Sequence, residues 1–478
     1  MKWRSCITAL FPNNILPEKL IKKFKNLIMI KIIKKFFAPL PAKEEINDVT
    51  ESTRKYKLSK WSVFLSATFG YAFFYVCRLS LSVIKKPLVD AEIFDPAQLG
   101  QIGSALFFSY AIGKLVNGFL SDHLNVNKFI SIGLLFTALA NLILGFFPIF
   151  VVFIVVWGLS GWFQSQGAAP CVVALTRWFK AKERGTYYAA WSASHNIGKA
   201  IAFTLLPLLI GLGGWQWGFW GAGIVGILGA IMVKIFLYDS PESKGLPSVV
   251  SLEQKEKGEE PLENKSKDVS SSQKAILKNP AIWLLALSSA LMYVIRYAIE
   301  SWGVFYAEAE KGYSNIEAAQ IIGLTAISGI IGTVVSGFIS DRFFKGSRNV
   351  PALVAGILNV ASVSVFLFYT NSNVLTDSIS MVVHGFAIGI LITFLGGLMA
   401  VDLAPKKAAG AAMGLIGIAS YAGAGIQEVM SGIYIEDSSS MVEGVMTYDF
   451  SQIRIFWLGA AILSMILAVL VWNAKAKD

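Results

Sequence analysis

Gly118-Phe119-Leu120-Ser121-Asp122 recurs 219 residues later as Gly337-Phe338-Ile339-Ser340-Asp341. Each copy closes an apolar segment of helix length, and other landmarks keep the same offset. Arg78 lies 40 residues before the first copy and Arg296 lies 41 before the second. Basic loops follow at matching places, Lys182-Glu183-Arg184-Gly185 and Lys406-Lys407-Ala408-Ala409-Gly410. The chain reads as two equivalent halves.

Composition says what the halves are made of. Of 478 residues, 55% are hydrophobic and only 15% charged, too little charge for a soluble domain of this size. Apolar runs long enough to cross about 30 Å of hydrocarbon recur throughout. The expectation is an all-α membrane protein with twelve transmembrane helices in two pseudo-symmetric six-helix halves. Six spans fall within 61–238 and six within 281–474. Residues 1–60 form a basic N-terminal extension, and 239–280 a polar linker too charged to build a core. Cys6, Cys77 and Cys171 lack the spacing of a disulfide framework or a metal cluster.

The formal charge of +11 would suggest nucleic acid in a soluble protein. Here it follows from sidedness. One set of loops carries Lys55, Lys57, Lys60, Lys128, Arg177, Lys180, Lys182, Arg184, Arg342, Lys345, Arg348, Lys406 and Lys407. The opposite loops hold only Lys85, Lys86, Lys311 and Arg454, mixed with acids. Lysine and arginine mark the cytoplasmic side, so both termini and the linker are expected there, in the cell (inner) membrane. The lysine-rich amphipathic stretch 18–37 suits an anionic lipid surface or is a dispensable extension.

Two buried arginines demand an explanation. Each costs about 2.5–3.5 kcal/mol at the centre of a span. Tyr75 precedes Arg78 by three residues and Tyr293 precedes Arg296 by three, so each pair shares a helix face. A duplicated Tyr-x-x-Arg, one per half, points to an anion site facing the bundle interior. Guanidinium forks fit phosphate oxygens bidentately and stay charged at any relevant pH. The competing possibility is a helical pair between Arg296 and Glu300. Lys114 follows Tyr110 by one turn, and it either reaches the site or snorkels to the interface. His195 follows Trp191 by one turn in the fifth span.

The repeated Gly–Asp segments resemble the signature loop of the major facilitator superfamily. Gly337, Asp341 and Arg342 keep its pattern; Gly118 and Asp122 do so with His123 in place of the basic residue. Both copies are read as gating or structural, with the glycines letting helices approach closely. Within that superfamily the chain resembles the organophosphate:phosphate antiporters over roughly 60–475. The resemblance is carried by Gly70-Tyr71-x-x-x-Tyr75-x-x-Arg78, Tyr110-x-x-x-Lys114, Ser160-Gly161-Trp162-Phe163-Gln164-Ser165, Ser194-His195-Asn196-Ile197-Gly198, Asp239-Ser240-Pro241-Glu242-Ser243 and Tyr293-x-x-Arg296.

That resemblance implies that Arg78 and Arg296 bind a phosphoryl group and that His195 joins them. Lys114, Tyr71, Tyr75, Tyr110 and Tyr293 would supplement the site. The chain departs from the family at Leu79, where a lysine is common, at Gln427 and Glu428 in the eleventh span, and near Ala326. The implied activity is exchange of an organic phosphate, most simply a hexose 6-phosphate, for inorganic phosphate. A glycerol-3-phosphate antiporter, a transporter-like sugar-phosphate sensor and a proton-coupled carrier using Glu428 remain alternatives. No nucleophile–base set, metal spacing or nucleotide loop suggests an enzyme or a cofactor. The expected partners are the lipid bilayer and the small solutes, with the chain monomeric and no nucleic acid bound.

Overall fold

The computed structural model describes residues 35–257, 278–344, 347–403, 409–443 and 445–472. The N-terminal half contains α1 (Val49–Asp90), α2 (Pro96–Ser121), α3 (Val126–Phe146), α4 (Phe150–Gln164), α5 (Ala168–Trp178), α6 (Ala181–Ser192), α7 (Ser194–Gly213) and α8 (Trp215–Phe236). A short helix, α9 (Val249–Lys257), follows. The C-terminal half contains α10 (Pro280–Tyr297), α11 (Gly303–Lys311), α12 (Asn315–Phe343), α13 (Asn349–Phe368), α14 (Val374–Thr393), α15 (Met399–Leu403), α16 (Ala409–Asp437) and α17 (Ser451–Leu470). A small hairpin, β1 (Ser439–Val442) with β2 (Val445–Tyr448), joins the last two.

Among the described residues, eleven helical segments are long and apolar enough to cross a bilayer. The 29-residue α16 sits between the tenth segment and the last, where the eleventh span was expected. Local chemistry sets the helix starts. Asp48 accepts from the Thr50 and Glu51 amides to begin α1. Asp95 and Gln98 form a capping box at α2, with Pro96 in the first turn, and Ser314 and Glu317 repeat the device at α12. At 42 residues, α1 is about 60 Å long, so its first turns project beyond the hydrocarbon.

The halves meet along two seams, α2 against α16 and α7 against α12, with α11 beside α1. Small residues permit the first seam. A Cβ on Gly100 would lie 2.5 Å from the Glu428 carbonyl, and one on Gly432 would lie 2.4 Å from that of Pro96. Both contacts fall near the start of α2, on the face opposite the basic loops. There the backbones touch, as small residues allow inside a membrane. Toward the basic-loop face, α6 packs on α5, α1 and α7 of its own half.

This explains a correction. Gly118 and Gly337 were expected to let helices approach closely, yet a Cβ on either would meet nothing within 4 Å. Both lie at the basic-loop ends of α2 and α12, where no other helix crowds them. Asp122 is exposed, and its carbonyl, rather than its carboxylate, accepts from Arg177 at 3.2 Å. Arg177 instead pairs with the buried Asp239 at 2.6 Å, and Asp239 also accepts from the amides of Val126 and Leu40. The stretch 239–250, read from composition as solvated, is thus packed at its start, with Leu246 buried as well. In the second half, Arg342 is exposed and Arg348 reaches Ser340 and Asp402. The Asp341 side chain lies outside the described residues, as do Lys406 and Lys407.

Candidate functional site

Arg78 is 4% exposed, about two-thirds of the way along α1. Its Nε donates to Gln164 Oε1 at 2.8 Å, and Gln164 is itself held by donation to Ser160 Oγ at 3.1 Å. Two rings face the guanidinium, Tyr110 at 4.4 Å and Tyr75 at 4.7 Å from their centroids. Desolvated cation–π contacts contribute about 2 kcal/mol each, and a hydrogen bond to a charged group about 1.5–3 kcal/mol. Together these exceed the insertion cost, so the arginine is held without a carboxylate. Its two terminal nitrogens have no hydrogen-bond partner among the described residues. They are free to grip an anion.

Arg296 is placed differently. Its Nε donates to Glu300 Oε1 at 3.1 Å, and Lys199 of α7 donates to the same oxygen at 2.6 Å. A π turn over Ala298–Trp302 follows Arg296 directly, and such wide turns are frequent at functional sites. The helical pair between Arg296 and Glu300 is therefore real, and the two arginines are not equivalent unpaired forks. Tyr297 and Tyr293 lie 4.9 and 5.2 Å from the guanidinium carbon.

A chain of rings connects the two. Tyr110 contacts Tyr421 at 4.5 Å, and Tyr421 contacts Tyr293 at 5.4 Å. Phe107 meets Tyr297 at 4.5 Å. Tyr75 touches both Tyr71 and His195 at 5.5 Å, and Tyr71 lies on Trp191. His195 places Nδ1 2.5 Å from the Ser192 carbonyl, so Nδ1 donates and Nε2 is left for other partners. A cavity beside it is lined by Lys199, Arg296, Glu300, Thr325 and His384 as well. Lys114 is exposed, yet its Nζ lies 5.2 Å from the ring of Tyr421 in the other half. It faces the space between the halves.

Lys85 corrects the sequence reading most sharply. Taken there as a loop residue, it is completely buried. Its Nζ donates to Glu428 Oε2 at 2.7 Å and to Ser301 Oγ at 2.8 Å, and it sits 3.6 Å from the Trp302 ring centroid. Trp302 Nε1 donates to the same carboxylate oxygen at 2.9 Å. Lys85–Glu428 and Lys199–Glu300 each join one half to the other.

Two bundles, buried charge at their seam and a tyrosine-lined centre are the setting of a solute pathway. Residues 63–427 match the Major Facilitator Superfamily.

The chain belongs to this superfamily.

It is an integral membrane transporter and not an enzyme. A probable hexose phosphate transport protein of Chlamydia trachomatis (serovar D) is 31% identical over 466 residues, spanning 93% of this chain and 98% of its own. A glycerol-3-phosphate transporter of Bacillus subtilis is 30% identical over 455 residues, spanning 92% and 98%. Among solved structures, a bacterial homologue of the human lysosomal transporter Spinster, inward-facing and unoccupied, matches with a TM-score of 0.66 at 16% identity. It covers 87% of this chain and 97% of its own.

For this superfamily member, the structure groups Arg78 with Tyr75 and Tyr110, and Arg296 with Tyr293. It places His195 and Tyr71 against Tyr75, and Lys114 against Tyr421. It leaves Gly118, Asp122, Gly337 and Arg342 at the basic-loop ends, apart from these groups. Lys199, Tyr297, His384 and Tyr421 were missed. Lys199 carried a usable signal, since it follows His195 by one helical turn inside the same span.

Proposed function

We propose that this chain exchanges an organic phosphate, a hexose 6-phosphate, for inorganic phosphate by alternating access. One observation carries the reading: Arg78 presents two buried guanidinium nitrogens without a partner among the described residues, in a tyrosine-lined space at the seam of the halves. A phosphate dianion supplies the missing acceptors, bidentately. Arg296, His195 and Lys114 then converge on the same anion from both halves, in the arrangement that lets one solute couple two rocking bundles.

Charge accounting favours exchange over leak. Glu300 offsets only one of the two charges on Arg296 and Lys199, so a positive charge remains there in addition to that of Arg78. Reorienting the empty carrier would keep Arg78 unpaired with that excess positive charge buried beside it, a penalty of several kcal/mol. Cargo removes that penalty in either direction. With the basic-loop face cytoplasmic, the termini lie inside and the tight seam at Gly100 and Gly432 faces outside.

Proteoliposomes loaded with phosphate test this. Labelled glucose 6-phosphate is expected to enter only when internal phosphate is present, and Arg78→Lys is expected to abolish entry. Uptake into phosphate-free vesicles would refute obligatory exchange. Similarity to the Bacillus subtilis glycerol-3-phosphate transporter also supports glycerol 3-phosphate as cargo, and the same assay ranks the two. Tight binding with negligible flux would identify a sensor instead.

A further inference from the structure

Glu428 is a buried carboxylate that the phosphate-binding groups leave unused. It lines one small cavity together with Arg78, Ser82, Gly103, Tyr297 and Ser301. Its Oε2 is fully engaged, taking hydrogen bonds from Lys85 and Trp302. Its Oε1 is buried and has no partner among the described residues. Among the described residues the cavity thus presents the unpartnered terminal nitrogens of Arg78 and Oε1 of Glu428, together with the Tyr297 hydroxyl, which can donate or accept. The nitrogens want an acceptor and Oε1 wants a donor.

We infer that Glu428 is the hydroxyl-accepting end of the substrate site, receiving a hydrogen bond from the carbon skeleton whose phosphate lies on Arg78. This rests on the exchange reading above and specifies the substrate as a phosphorylated polyol. Three features support it. Arg78 of α1 and Glu428 of α16 line the same cavity, so a ligand whose phosphate lies on Arg78 carries its skeleton past Glu428. The free volume is about 20 Å³, room for the one hydroxyl that Glu428 would accept but not for the whole skeleton, so the halves must part further to admit the rest. A Cβ at position 103 would lie 2.6 Å from Glu428 Oε2, so glycine there makes space for the carboxylate itself.

Lys85 and Trp302 act as positioning residues. They fix the carboxylate in one rotamer and neutralise its charge without occupying the second oxygen. This arrangement disfavours Glu428 as a free proton carrier, because its charge is already matched by a lysine at 2.7 Å. A polyol phosphate brings hydroxyls on its carbon skeleton to donate to Oε1, which inorganic phosphate lacks. Skeleton recognition and phosphoryl recognition are therefore separable.

The experiment is a chemical double-mutant cycle in phosphate-loaded proteoliposomes. Wild type, Glu428→Gln and the charge-balanced double variant Lys85→Met/Glu428→Gln are compared. The probes are inorganic phosphate, glucose 6-phosphate, glycerol 3-phosphate and analogues of each organic phosphate lacking one hydroxyl. In the wild type, one hydroxyl deletion per substrate is expected to raise KM about 10- to 100-fold, the range for a bond to a buried charged group. In both variants the intact substrates should show a raised KM relative to inorganic phosphate, and the same deletion should have little further effect.

Equal sensitivity to the deletion with and without Glu428 would overturn the assignment, as would parallel changes in KM for phosphate and organic phosphate. The wild-type analogue series decides even if neither variant folds: indifference to every single deletion would also overturn it. Absence of any phosphate exchange in the wild type would instead remove the underlying exchange reading.

Discussion

Lys199 of α7 and Glu300 of the π turn form a buried ion pair across the two halves, with Nζ 2.6 Å from Oε1. The same oxygen takes Arg296 Nε. Two cations on one carboxylate leave a net positive charge in the cavity, which suits an anionic cargo. The pair also joins the halves, and Lys85–Glu428 does the same beside the closed seam. Opening toward the opposite face requires both contacts to separate.

Removing one member of such a pair strands a buried charge, which costs about 3–5 kcal/mol. Lys199→Met alone should therefore lower the thermal unfolding midpoint in detergent by several degrees, and Glu300→Gln should do the same. The double variant should recover most of the loss, because no lone carboxylate or lysine remains. Thermal unfolding of the three variants checks this. Additive losses in the double variant would show that the pair is not coupled.

Gln164 holds Arg78 by its Nε and leaves the terminal nitrogens outward. Gln164→Leu keeps the volume but frees the guanidinium to swing among its rings. The KM for phosphate should rise about tenfold, roughly the 1–1.5 kcal/mol of one hydrogen bond, with a smaller change in maximal rate. Homologous phosphate exchange measured over a concentration series separates the two parameters.

The spans were legible because a bilayer forces each one to be an apolar helix of about 20 residues, and two copies of one pattern exposed the repeat. Arg78, Arg296 and their tyrosines were legible because helical spacing is a local property. The partners were not. Lys85 follows a long apolar run and precedes Lys86, which reads as the start of a loop. Nothing nearby reveals that Glu428, 343 residues away, lies against it. Pairing across the seam depends on how two helices dock, and glycines such as Gly100 and Gly432 set that docking.

Gly118 has open space where a Cβ would sit, although the sequence reading gave it a close-packed role. Both statements hold if its neighbours arrive only when the basic-loop face closes. Gly118→Leu should then leave thermal stability within about 0.5 kcal/mol, as for other unconstrained surface changes, while slowing exchange severalfold. Stability and flux measured on one preparation test the contrast. A large loss of stability would place the close contact in the present state.

Lys114 and Tyr188 are exposed, whereas Lys85 and Ser301 are buried. Lys114 thus sits at the accessible end of the seam, toward the basic loops, and Ser301 at its tightly packed end. In a background with Cys6, Cys77 and Cys171 replaced by serine or alanine, Lys114→Cys should react with a membrane-impermeant thiol reagent applied to the basic-loop face. Ser301→Cys should resist the reagent from both faces while the carrier is empty. Adding phosphate to both sides lets the carrier cycle, so Ser301→Cys should become reactive from the opposite face as the Lys85–Glu428 contact separates. Sided labelling of oriented vesicles reads this directly. Reaction of Ser301→Cys without any phosphate would mean that the empty carrier changes state unaided, contrary to the penalty assigned to an unpaired Arg78.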